Sequence, residues 1–134
     1  MTIGTGAVLM AIGAGIAVGC SAIGSGIGVG IAGSAAAGVI SERSDKFGMA
    51  LVFTAIPQTQ AIYGLLIAVL MLALTGILSS DFSVEMPVAI GLIGAGLAVG
   101  LAGFSAIGQG ITCSSGIAAT ARNPSAIGRS LVFA

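Results

Sequence analysis

A polar stretch, Ile56-Pro57-Gln58-Thr59-Gln60-Ala61-Ile62-Tyr63-Gly64, interrupts an otherwise apolar run from Phe47 to Leu78. Its side chains carry a hydroxyl, two amides and a phenol, groups suited to holding a hard cation through oxygen atoms. Pro57 adds backbone oxygen to that set. It has no N–H, and its ring clashes with the carbonyl four residues earlier, so the carbonyl of Phe53 is freed and the helix loosens. Inside a membrane such freed groups persist only where protein or a polar cavity satisfies them. Polar residues at that depth point by default to a functional site. The stretch therefore reads as an ion site at mid-membrane.

Composition requires a membrane setting. The chain has 134 residues, of which 57% are hydrophobic and 6% charged, against about 25% charged in soluble domains. Net charge is zero, and no basic face points to nucleic acid. Histidine and tryptophan are absent, which removes imidazole metal sites and histidine-based catalysis. Cys20 and Cys113 lie in apolar runs, and two isolated thiols make no zinc site. Gly28-Val29-Gly30-Ile31-Ala32-Gly33 matches the dinucleotide fingerprint formally, but no strand precedes it. No phosphate loop with its lysine is present, so this chain is not expected to bind ATP. No nucleophile–base pair exists in a plausible site, and every acidic residue falls in a loop, so an independent enzyme is a poor reading.

The elements that position the polar stretch follow from the charges. Glu42, Arg43, Asp45 and Lys46 form one cluster, Asp81 and Glu85 a second, Arg122 and Arg129 a third. The uncharged runs 1–41, 47–80 and 86–121 between them each exceed the ~20 residues of a spanning helix. A membrane barrel would show alternation over short segments instead. The expectation is an all-α integral membrane protein with helices at roughly 3–40, 47–78 and 87–121 and a fourth starting near Ile127. A helix over 3–40 would be about 57 Å long and outreach the ~30 Å hydrocarbon core. Pro87 suits a first helical turn, and Asn123-Pro124 suits a turn between helices. The basic residues place loops 41–47 and 122–128 on the cytoplasmic side.

The chain also repeats itself. Ile12-Gly13-Ala14-Gly15-Ile16-Ala17-Val18-Gly19 recurs as Ile93-Gly94-Ala95-Gly96-Leu97-Ala98-Val99-Gly100. Ser25, Ile27, Gly28 and Gly30 recur as Ser105, Ile107, Gly108 and Gly110, and Leu51-Val52-Phe53 as Leu131-Val132-Phe133. This reads as tandem helical hairpins in the same orientation, the first at 1–78 and the second, incomplete, at 79–134. The pairs Gly15/Gly19, Gly24/Gly28, Gly26/Gly30 and Gly96/Gly100 are each four apart and allow helix backbones to approach closely in lipid. A helix dimer needs only one such face. The density and length of the pattern favour the inner helices of a ring.

The duplicated glycine-rich hairpins, the stretch Pro57–Gly64 and Gly103-Phe104-Ser105-Ala106-Ile107-Gly108-Gln109-Gly110 resemble the membrane rotor subunit of V-type and A-type rotary ATPases, the proteolipid or K subunit. The resemblance covers essentially the whole chain. It implies four helices in two hairpins, copies assembled into a ring, and a non-catalytic role coupling ion passage to rotation. It also implies a stator membrane subunit, central stalk subunits and lipid as partners, with sodium or a proton as the transported ion and no covalent cofactor. From the sodium-binding members it implies the Ile56 carbonyl, Thr59, Gln60 and Gln109 as ion ligands and Tyr63 as hydrogen-bond partner of an essential carboxylate. In those members the carboxylate comes from the fourth helix. Where it lies in the second helix instead, it takes the position of Gln58. The repeat thus predicts about 25–30 further residues, enough for one span, with Glu four positions past Ala134. Thr59, Gln60 and Gln109 together favour sodium.

Each residue also has a plainer use. Gln58, Gln60 and Gln109 could bridge helices, and Thr59 could bond back to its own helix. The alternative is a structural or pore-forming membrane ring without energy coupling, which explains the glycines and the duplication but not the proline-centred stretch.

Overall fold

A computed structural model describes residues 4–79 and 83–134. These form helices α1 (Thr5–Glu42), α2 (Phe47–Ala55), α3 (Thr59–Leu74), α4 (Met86–Ala102), α5 (Ser105–Arg122) and α6 (Ile127–Leu131). No strand occurs among the described residues. Three continuous spans, Thr5–Glu42, Ser44–Leu74 and Met86–Arg122, are long and apolar enough to cross a membrane. The protein is thus an all-helical, multi-pass membrane protein, as its composition requires. Asp81 lies outside the described residues.

The breaks within the spans have local causes. Between α2 and α3 the chain tightens into a 3-10 turn, Ile56–Gln58, with Pro57 near its start. The expected loosening at Pro57 is therefore a tightening of pitch, because the missing N–H favours shorter-range bonds. The second span stops at Leu74, short of the expected 78. Gly76 adopts φ 78°, a left-handed conformation open to glycine that ends helices. Its N–H reaches back three residues to Ala73, and Ile77–Ser79 forms a 3-10 turn. In the third span the bond from Ile107 N–H to Phe104 O is likewise of the three-residue kind. Gly103 and Phe104 keep right-handed helical dihedrals, so the span tightens without ending.

The loop ends follow the sequence closely. Pro87 sits in the first turn of α4. Asn123 Oδ1 accepts from the Ser125 N–H (3.1 Å) and Ser125 Oγ–H (2.7 Å), the local turn that Asn favours. α6 starts at Ile127.

The chain divides into two compact units, Met1–Ile23 with Ala61–Gly103, and Gly24–Gln60 with Phe104–Ala134. The first has a core of Met10, Ala14, Ala68 and Met71. Here α1 and α4 meet without side chains between them: a Cβ on Gly13 would stand 2.7 Å from the Leu92 oxygen. The core of the second gathers Ala32, Ala36, Ala50, Phe53, Cys113 and Ile117. Along α3, Ile62, Leu65, Leu66, Val69 and Leu70 are exposed, a surface suited to lipid.

Candidate cation site

Five of the six polar-stretch and glutamine positions marked by the sequence belong to the second unit: Ile56, Gln58, Thr59, Gln60 and Gln109. The turn Ile56–Gln58 sets their frame. Pro57 is buried within it. The Ile56 carbonyl accepts from both the backbone N–H and the hydroxyl of Thr59, the latter at 2.9 Å. Two expected ligands are therefore adjacent. The hydroxyl proton is spent on Ile56, while the Thr59 oxygen keeps its lone pairs.

Glycines let α1 and α5 close on this turn. A Cβ on Gly28 would overlap the Ala106 carbonyl and stand 2.9 Å from Pro57 Cβ. One on Gly110 would meet the Gly28 carbonyl carbon at 2.8 Å. Both distances are below any real Cβ contact, so only glycine fits. The neighbour of Gly110 in sequence is Gln109, and Gln109 Oε1 is buried without a hydrogen-bond partner. An orphaned buried acceptor costs about 1–3 kcal/mol. Thr120 Oγ1 shares that state near the end of α5.

Gln60 is half-buried and Gln58 exposed. Tyr63 is 56% exposed and belongs to the first unit. Sequence reasoning missed Ser25, whose buried hydroxyl donates to the Pro57 carbonyl over 2.9 Å. In the sequence it shows only as a serine within the apolar, glycine-rich run, recurring as Ser105 in the repeat.

Among the described residues no charged side chain lies in the turn Ile56–Gln58 or in α3. Among the described residues the carboxylates are Glu42, Asp45 and Glu85, all at helix ends or in loops. Lys46 Nζ stands 2.8 Å from Asp45 Oδ2, and that hydrogen bond holds the Asp45 carboxyl below its usual range. Arg43 Nη1 donates to the Ala121 carbonyl at 2.8 Å. The Ile56 carbonyl and the Thr59 hydroxyl are thus held together in the turn, Gln109 Oε1 is buried on the helix that closes on it, and none of the described carboxylates lies in that turn or in α5.

The sequence profile of the ATP synthase C-subunit family matches residues 12–71 and 93–134. The chain belongs to that family. The matched segments begin at Ile12 and Ile93, where the internal repeat begins. Among curated relatives of this C-subunit family member, A-type ATP synthase subunit K of Methanocaldococcus jannaschii is 50% identical over 126 residues, 94% of this chain and 53% of the relative. V-type sodium ATPase subunit K of Enterococcus hirae is 36% identical over 103 residues, 76% of this chain and 63% of the relative. A-type ATP synthase subunit K of Sulfurisphaera tokodaii is 57% identical over 61 residues, 46% of this chain and 60% of the relative. The chain thus spans 53% to 63% of the length of these relatives.

Proposed function

We propose that this chain is the ion-carrying part of a rotor-ring subunit in an A-type or V-type rotary ATPase, and that its ion is sodium. The carrying observation is Gln109 Oε1, a buried acceptor left unpaired on a helix that closes on the proline turn through glycine contacts. A cation held by Gln109, Thr59, Gln60 and the Ile56 carbonyl gives that oxygen its partner. The Thr59 oxygen keeps its lone pairs for the ion while its proton stays bonded to the Ile56 carbonyl. Family membership supports the rotor role, and a sodium ATPase among the relatives supports the choice of ion.

Neutral oxygens alone leave a cation uncompensated at low dielectric. The balancing carboxylate comes from outside residues 1–134, and Tyr63 is its hydrogen-bond partner. Gln58 in place of a second carboxylate gives one ion per pair of hairpins, 1–78 and 79–134. The subunit itself is non-catalytic. Copies pack into a ring through glycines that none of the described residues covers: Gly15, Gly19, Gly26 and Gly30 have open space where a Cβ would stand. Gly28, Gly96 and Gly100 serve contacts within the chain, and Gly24 is buried. The ring turns against a stator membrane subunit, and loops 41–47 and 122–128 meet the central stalk on the cytoplasmic side.

ATP-driven uptake of radioactive sodium into vesicles tests the reading, using the full-length subunit in its complex. Thr59→Ala and Gln60→Ala should abolish uptake while the ring still assembles. Uptake at the wild-type rate in both variants would favour a purely structural ring.

A further inference from the structure

We infer that Ser25 is a positioning residue for the cation site, its buried hydroxyl fixing the turn that presents the Ile56 carbonyl and the Thr59 hydroxyl. The inference rests on the cation reading above.

Hydroxyls in this protein mostly bond back along their own helix. Ser34, Ser41, Thr54, Thr75, Thr112 and Ser114 each donate to a carbonyl three or four residues earlier. That is the default for Ser and Thr within helices. Ser25 instead crosses 32 positions to the Pro57 carbonyl, and the bond is buried. Ser25 itself is 3% exposed.

The target of that bond is the weak point of the second span. Pro57 donates no N–H, and 3-10 geometry makes poorer hydrogen bonds than the α-helix. A turn of this kind needs an external hold to keep one conformation. α1 supplies two, one helical turn apart. Ser25 grips the Pro57 oxygen, and Gly28 leaves the Pro57 ring room that a Cβ would take, 2.9 Å from Pro57 Cβ. The two residues flanking Pro57 by one and two places, Ile56 and Thr59, carry the oxygens that must face the ion.

Removing the Ser25 oxygen leaves the Gly28–Ala106, Gly110–Gly28 and Phe53–Gly116 contacts in place. The helices stay packed, and the turn loses one of its two holds. Ion affinity then falls, because the ligands must be ordered upon binding.

The test is equilibrium binding of radioactive sodium to the purified ring of the full-length protein, with native mass recording assembly. Ser25→Ala should raise the sodium dissociation constant about tenfold, the loss of one buried hydrogen bond's worth of positioning. Ser25→Cys, similar in size but a weak donor, should behave like Ser25→Ala. Ser25→Thr should restore affinity. Amide exchange at Thr59–Ala61 should quicken in the first two variants. Wild-type affinity in Ser25→Ala overturns the inference and leaves the cation site standing if Gln109→Ala still weakens binding. Loss of the ring in both Ser25→Ala and Ser25→Cys overturns it in favour of a packing role. A wild-type ring that binds no sodium overturns both readings.

Discussion

Phe53 lies with its ring against Gly116, so close that a Cβ on the glycine would stand 2.6 Å from Phe53 Cε1. Phe53 is fully buried, and this contact locks α2 to α5 just ahead of the proline turn. In lipid, helix association depends on such packing, since solvent exclusion contributes little. Gly116→Val should force the ring off its seat and destabilise the protein by about 1–3 kcal/mol, the usual scale of overpacking. Unfolding of the detergent-solubilised ring by rising denaturing detergent would read the shift.

The glycines of α1 should separate into two behaviours. Gly28→Ala puts a Cβ into the Ala106 carbonyl and against Pro57, so α5 must withdraw and sodium binding should be lost. Gly30→Ala enters open space within the chain. It should leave the fold of one subunit intact and weaken ring assembly, seen as a fall in the ring-to-subunit ratio by native mass. If Gly30→Ala rings assembled as well as wild type, that face would not be the packing surface between copies.

The loops should tolerate change better. Arg43 donates from an exposed position to the Ala121 carbonyl, near the negative end of α5. Arg43→Ala should cost about 0.3–1 kcal/mol, the range for a cation at a helix C-terminus. Faster amide exchange at Arg122–Asn123 would report it.

Asn123→Ala removes both bonds to Ser125. By analogy with capping residues the loss should be on the order of 1 kcal/mol, and Asn123→Asp should retain most of it. Thermal stability of the three proteins would separate them.

Much of this architecture was legible in the sequence. Charged clusters at Glu42–Lys46 and Arg122 bracket the spans because charge is excluded from hydrocarbon, and a proline in a spanning helix must disturb it. The Asn123-Pro124 turn and the start of α6 at Ile127 follow from local chemistry alone. Gly76 as the end of α3 was not legible, since glycine is equally common inside these helices and only its left-handed φ distinguishes it. The same abundance hides which glycines pack: Gly15 and Gly96 look alike in sequence, yet one faces open space and the other the Gly13 backbone. Ser25 was invisible for a related reason. A helix interior offers every serine its own carbonyl, and the choice of Pro57 depends on how α1 is rotated against the turn. The burial of Gln109 Oε1 depends in the same way on the close approach that Gly110 permits.

The most direct measurement is sodium binding to the isolated full-length ring, wild type beside Gln109→Leu, at matched assembly. Binding should saturate in the wild type, with a dissociation constant at least about tenfold higher in the variant. Saturable binding unchanged by Gln109→Leu, or none in either protein, would contradict the cation site.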